Sequence, residues 1–213
     1  MPHTGKSVRV GISGAPGVGK STFIEALGNH VIDAGHEPAI LTVDPSSAIS
    51  GGSILGDKTR METLARREEA YIRPSPAGTT LGGVTRRSRE TLLLCEAAGF
   101  DIIIVETVGV GQSETKVADM TDMFVLLLQP GSGDQLQGIK RGIMELADLI
   151  LINKADDDLA ELARKSASEY QHALTLLRPR TAHSEGEGQT CAARDPVGLG
   201  SAWDAEYRHQ TAL

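Results

Sequence analysis

The stretch Gly14-Ala15-Pro16-Gly17-Val18-Gly19-Lys20-Ser21 decides the fold. It follows an apolar run, Val8–Ser13, that reads as a β-strand, and it opens a helical pattern over Lys20–Ala34. A strand, a glycine-rich loop ending in Lys-Ser and a helix make up the P-loop pattern. Composition alone would produce that string about 0.01 times in such a chain. The glycines let backbone N–H groups converge on phosphate oxygens where side chains would clash. The helix adds its positive dipole end, equivalent to roughly half a charge. Lys20 is placed to neutralise the β- and γ-phosphates, and the Ser21 hydroxyl to ligate Mg²⁺. The expected nucleotide-binding segment is therefore Gly14, Ala15, Pro16, Gly17, Val18, Gly19, Lys20, Ser21 and Thr22. A glycine-rich turn without a ligand is the alternative.

Outward from this loop the alternation continues. Further strands read at Ala39–Asp44, Ala70–Pro74, Asp101–Glu106, Met123–Gln129 and Leu149–Asn153. Helical patterns read at Met61–Arg67, Val84–Ala98, Gln135–Leu146 and Asp158–Leu177, with Gly35 and Gly99 as C-caps. Ile102–Val105 and Val125–Leu128 are continuously apolar, which predicts strands covered on both faces. The expected fold is α/β, a doubly wound and mostly parallel sheet with helices on both faces. Residues 1–180 form the expected domain. Residues 181–213 carry glycines, a proline and isolated charges without apolar periodicity, which predicts a poorly ordered tail; a short helix around Ala202–Arg208 is the alternative.

The chain has 213 residues, 40% hydrophobic and 23% charged, the make-up of a globular protein. A net charge of −7 argues against a general nucleic-acid or anionic-membrane binder. Two cysteines are too few for a disulfide framework and fit a reducing compartment. The apolar runs are too short to cross a bilayer and no secretory signal is visible, so a cytoplasmic location is expected. His30, His36, His172, His183 and His209 have no spacing suited to a metal.

Asn153-Lys154-Ala155-Asp156 follows the last strand and has the arrangement that reads guanine. The Asp156 carboxylate offers two acceptors to the N1–H and 2-amino donors of that base. Adenine lacks the donor pair and would leave the carboxylate unpaired, which favours GTP over ATP. A polar strand end followed by an acidic N-cap run is the other reading. Glu106-Thr107-Val108-Gly109 closes the Asp101–Glu106 strand, where P-loop proteins place a Mg²⁺-holding carboxylate and then a glycine that senses the γ-phosphate. Asp44 arrives at the same sheet edge. N-capping is the alternative for both acids. Asp57 is a further candidate or an ordinary loop acid, and Gln112 could polarise water or merely start a helix. Arg86, Arg87 and Arg89 near a predicted helix start hint at an anion or acidic partner, or form a plain surface cluster.

Val43-Asp44-Pro45-Ser46-Ser47, Gly56-Asp57-Lys58-Thr59-Arg60-Met61, the run Thr107–Glu114 and the run Gly133–Lys140 together resemble the MeaB/ArgK/MMAA family. These GTPases chaperone adenosylcobalamin-dependent methylmalonyl-CoA mutase and formerly carried a LAO/AO transport ATPase label. The resemblance implies a SIMIBI-type P-loop fold, a homodimer, and hydrolysis of GTP to GDP and phosphate coupled to loading or protecting the mutase cofactor. It places Lys20, Ser21, Asp44, Asp57 and Glu106 around phosphate and Mg²⁺. It also implies switches at Gly51–Met61, Gly109–Lys116 and Pro130–Gly142, the third facing the mutase. Family members carry a helical extension before the first strand and continue beyond this length through helices that build the dimer interface, so the chain reads as a truncated or frame-shifted copy, or as a shortened natural variant. Slow intrinsic turnover, raised by a partner, is expected. An ATP-dependent kinase or transport accessory, and a copy with impaired nucleotide binding, are the alternatives.

Overall fold

Ile102-Ile103-Ile104-Val105-Glu106-Thr107 is buried at every position. A strand covered on both faces belongs inside a parallel sheet, and that is its place in this computed structural model, which describes residues 5–44, 61–76, 81–107, 113–131 and 141–177. Strands β1 (Val8–Gly14), β2 (Pro38–Asp44), β3 (Tyr71–Pro76), β4 (Ile102–Thr107), β5 (Met123–Leu128) and β6 (Leu149–Ile152) form one six-stranded sheet in the order β3-β2-β4-β1-β5-β6. The β1–β4, β1–β5, β2–β3 and β2–β4 pairs are parallel. Pro74 and Pro76 fall in β3, an edge strand, where a missing N–H is tolerated. The chain leaves β1 toward β2 and leaves β4 toward β5 in opposite directions along the sheet. The carboxyl ends of β1 and β4 therefore form the crevice where such sheets bind ligands.

The helices are α1 (Lys20–Asp33), α2 (Leu81–Ala98), α3 (Ser113–Ala118), α4 (Arg141–Leu146) and α5 (Ala160–Leu177), with 3₁₀ turns at Leu64–Arg66 and Asp157–Leu159. Helix α1 buries Ile24, Gly28, Val31 and Ile32, the apolar stripe of a helix lying on a sheet. Its end is closed by Gly35 N donating to Ile32 O at 2.8 Å and His36 N to Val31 O at 3.0 Å. Gly99 and Phe100 repeat that double bond on α2, so both glycines cap as expected. At the opposite sheet edge from the P-loop, aspartates pin strand starts. Asp122 Oδ2 accepts Arg9 N at 2.8 Å, and Asp148 Oδ2 accepts Phe124 N at 2.8 Å.

Several expectations change in detail. The helix expected over Met61–Arg67 is a 3₁₀ turn of three residues. Tertiary contacts fix that segment instead: Glu25 Oε1 accepts Thr63 N at 2.7 Å and the Thr63 hydroxyl at 2.6 Å. Helix α3 has only six residues, too few to show a period, and is absent from the segments that read as helical, although a helix start is one reading of Gln112. Helix α2 begins at Leu81, so Arg86, Arg87 and Arg89 lie beyond its first turn, where a helix dipole has little effect. The side chains of Arg86 and Arg87 lie outside the described residues, as do residues 135–140 of the expected Gln135–Leu146 helix and everything from residue 178 onward, including the expected tail.

The chain divides into two compact units, Met1–Leu128 with Gly142–Leu151, and Gln129–Arg141 with Ile152–Leu213. The first holds the P-loop and nearly all of the sheet. In the second, α5 buries Ala163, Ser166 and Tyr170 on one stripe, and Ser166 Oγ accepts Gly131 N at 3.0 Å. Among the described residues no helix is long and apolar enough to cross a membrane.

Candidate functional site

The loop between β1 and α1 is shaped by two backbone demands. A Cβ on Gly14 would come within 2.6 Å of the Leu127 carbonyl oxygen, so β5 admits only glycine there. Gly19 is the N-cap of α1 with φ +97°, a left-handed conformation that bulkier residues resist. No side chain caps α1 and no acid occupies its first turn. Its leading N–H groups and positive dipole end therefore face the loop, an arrangement that attracts anions.

Lys20 is buried, at 8% exposure. An ammonium survives such burial only when hydrogen-bonded. Its Nζ donates to Gly14 O at 2.8 Å and Ala15 O at 3.2 Å, which folds the charge into the loop. Val18 N donates to Ala15 O at 3.2 Å and tightens the same turn. Pro16, Gly17 and Thr22 are exposed, whereas Val18 is buried beneath them.

Ser21 begins the helix and Glu106 closes β4, 85 residues apart in sequence, yet the Ser21 hydroxyl donates to Glu106 Oε1 at 3.3 Å. Glu106 is 4% exposed. A hydroxyl and a carboxylate side by side are hard oxygen donors of the kind that Mg²⁺ takes, with water completing its shell. The residues present thus fit the ion. Beside them the Thr107 hydroxyl donates to Ser13 Oγ at 2.9 Å and approaches Ile12 O at 3.4 Å, tying β4 to β1 beneath the loop. Sequence reasoning did not single out this pair. Its signal was two hydroxyl residues interrupting apolar strands, each next to a motif.

In the second unit, Asn153-Lys154-Ala155-Asp156 follows β6. Asn153 is half-buried, and Lys154 and Asp156 are exposed. Lys154 has φ +59°, a left-handed backbone in a residue with a long side chain. Such strain costs on the order of 1–3 kcal/mol and concentrates at functional sites. Asp156 O accepts Leu159 N at 3.0 Å, so the motif runs directly into the 3₁₀ turn.

The structure thus brings Lys20 onto Gly14 and Ala15, and Ser21 onto Glu106. Asp44 closes β2, but its side chain lies outside the described residues, as do Asp57, Gly109 and Gln112.

The family model described as methylmalonyl Co-A mutase-associated GTPase MeaB matches residues 1–213. GTPase ArgK of Escherichia coli is 52% identical over 213 residues, covering 100% of this chain and 64% of ArgK. The mitochondrial methylmalonic aciduria type A homolog of Mus musculus is 57% identical over 204 residues, covering 95% of this chain and 49% of the mouse protein. A solved structure titled as a LAO/AO transport system kinase is 43% identical with a TM-score of 0.69, covering 96% of this chain and 59% of that one. The chain spans 63–65% of the length of its bacterial relatives.

Proposed function

The chain belongs to the MeaB family of methylmalonyl-CoA mutase-associated GTPases, and from that membership we propose that it binds guanine nucleotide with Mg²⁺ and hydrolyses GTP to GDP and phosphate. We further propose that it serves an adenosylcobalamin-dependent methylmalonyl-CoA mutase as a chaperone. The mutase in the family's description and the mouse homologue's name support that role. The bacterial relatives bear GTPase names, so the ATP-dependent alternative is not favoured, although one solved relative has kinase in its title.

The observation that carries the reading is the buried Lys20 ammonium folded against Gly14 and Ala15, with the Ser21–Glu106 pair beside it. Phosphoryl transfer needs positioning and charge neutralisation more than covalent help. The loop amides and Lys20 hold the phosphates in line. Ser21 and Glu106, with Asp44 and Asp57, would hold Mg²⁺, which supplies further neutralisation of the β- and γ-phosphate oxygens. Gly109 takes the γ-phosphate-sensing role, and Gln112 orients the attacking water. Asn153, Lys154 and Asp156 read the base. The same proposal keeps turnover slow in isolation and faster with the mutase.

The test is calorimetric titration with GTP, GDP and ATP in the presence of Mg²⁺, followed by phosphate-release assays with and without a mutase. Guanine nucleotides are expected to bind and ATP to bind far more weakly. Failure of any guanine nucleotide to bind overturns the reading. Binding without phosphate release overturns the catalytic part alone.

A further inference from the structure

Thr42 lies within β2 at 1% exposure, and its hydroxyl has no hydrogen-bond partner among the described residues. Buried hydroxyls in native proteins are nearly always satisfied, by protein or by ordered water. Valine would fill the same space in a strand without that cost, so the hydroxyl needs a reason.

Its neighbours supply one. Thr42 is in register with Glu106 across β2 and β4, and Glu106 with Ile12 across β4 and β1. Side chains in register on parallel strands point to the same face of the sheet. Ser21 of α1 reaches Glu106 on that face. The Thr42 hydroxyl and the Glu106 carboxylate are therefore neighbours on the side where the Ser21 hydroxyl also sits. Adjacent strands lie about 4.8 Å apart, a separation that one water molecule bridges between two polar groups.

We propose that Thr42 is a positioning residue of the magnesium site, its hydroxyl holding a water shared with the Glu106 carboxylate and so fixing the orientation in which Glu106 faces the ion. Thr42 can play this part only if Ser21 and Glu106 hold Mg²⁺, as proposed above.

The test measures the Mg²⁺ concentration that gives half of the GDP-dependent rise in melting temperature, using the full chain as wild type, Thr42→Val, Thr42→Ser and Glu106→Gln. Without nucleotide, Thr42→Val should melt within a few degrees of wild type, because the shape of the side chain is kept and only one water-mediated hydrogen bond is lost. It should nevertheless require about fivefold to tenfold more Mg²⁺, the effect of losing one ordinary net hydrogen bond. Thr42→Ser, which keeps the hydroxyl, should retain the wild-type requirement, and Glu106→Gln should lose the Mg²⁺-dependent part of the rise. If Thr42→Val melts well below wild type, Thr42→Ala replaces it in the comparison. A hydroxyl-free variant with the wild-type Mg²⁺ requirement, beside a Glu106→Gln that has lost its response, overturns the role of Thr42 and leaves the metal site standing. Equal shifts in Thr42→Val and Thr42→Ser also overturn it, since serine keeps the hydroxyl and the loss of that group could not then be the cause. A wild type whose melting ignores Mg²⁺ overturns the metal site itself, and Thr42 with it.

Discussion

The Glu96 carboxylate on α2 accepts Arg9 Nη2 at 2.7 Å and Arg9 Nε at 3.0 Å, with the Glu96 side chain only 2% exposed. The Ser7 hydroxyl and the Gly5 amide donate to the same carboxylate. One buried acid therefore gathers the N-terminal segment and the first strand onto a helix about 90 residues later. Neither Glu96 nor Arg9 carries a motif, and their meeting follows only from the parallel placement of β1 beside β4.

Burial pushes the Glu96 carboxyl up, but the Ser7, Arg9 and Gly5 donors outweigh it and hold the group below its usual 4.5. A carboxyl lowered in the folded state stabilises fully above its unfolded value, and that contribution is lost as pH falls through the folded value. Glu96→Gln should therefore cost on the order of 1–3 kcal/mol at neutral pH. Urea midpoints recorded from pH 7 downward should show the gap to wild type shrinking below pH 4.5. A gap that stays constant with pH would mean that shape, not ionisation, holds Glu96 in place.

Besides the Glu25–Thr63 hydrogen bonds, the 61–67 segment meets α1 in a close apolar contact. A Cβ on Gly28 would come within 2.6 Å of Leu64 Cδ2 and 2.9 Å of Leu64 Cδ1, and Leu64 is fully buried. Gly28→Ala gains up to about 1 kcal/mol of helix propensity but overpacks the contact, which typically costs about 1–3 kcal/mol. A net loss of stability is expected. In the double variant with Leu64→Ala the clash disappears, so its loss should be smaller than the sum of the two single-variant losses. Thermal denaturation of the four-protein cycle checks this, and strict additivity would show that the two side chains do not meet as drawn.

Much of this fold was legible from local pattern. The apolar run in β4 announced a strand covered on both faces, and Gly14–Ser21 fixed both the β1–α1 junction and the anion cradle. What local pattern lacks is neighbourhood. Strand order decides that Thr42 stands beside Glu106, and nothing in the spacing of 64 residues between them encodes it. Likewise Ser13 and Thr107 read as isolated polar residues until β1 and β4 are paired. The 61–67 segment has a helical pattern, but Glu25 and Gly28 hold it in a tighter turn, since segments so short take their form from packing. At the candidate site, the placement of Lys20 and Ser21 at the loop–helix junction and of Glu106 at a strand end was readable because each stands at a fixed place in a strand–loop–helix pattern. The left-handed backbone of Lys154 was not, because strain leaves no mark on composition.

Exposure of Asp156 leaves its carboxylate open to a base edge. Asp156→Asn replaces one acceptor by an NH₂ donor, which meets the guanine 2-amino group as donor against donor. GTP affinity should fall by at least tenfold, while xanthosine triphosphate, with a carbonyl at that position, should gain. Competition binding with the two nucleotides checks the exchange. Unchanged GTP preference would remove Asp156 from base recognition without touching the phosphate reading.

Lys20→Met separates the cradle's stability from its function. The substitution keeps an unbranched chain in the buried position and removes the ammonium, so the Gly14 and Ala15 carbonyls each lose their Lys20 donor. Those losses oppose the relief of no longer burying a charge, and the unliganded melting temperature should move by only a few degrees, as expected for a change near 1 kcal/mol. Nucleotide changes the balance. At 100 times its Kd, Mg²⁺-GDP should stabilise the wild type by about 2.7 kcal/mol, and Lys20→Met should lose most of that increment. Paired melting curves, with and without Mg²⁺-GDP, decide the matter. If the variant keeps its full nucleotide-dependent rise, the buried ammonium is a structural feature of the loop and the phosphates are held elsewhere.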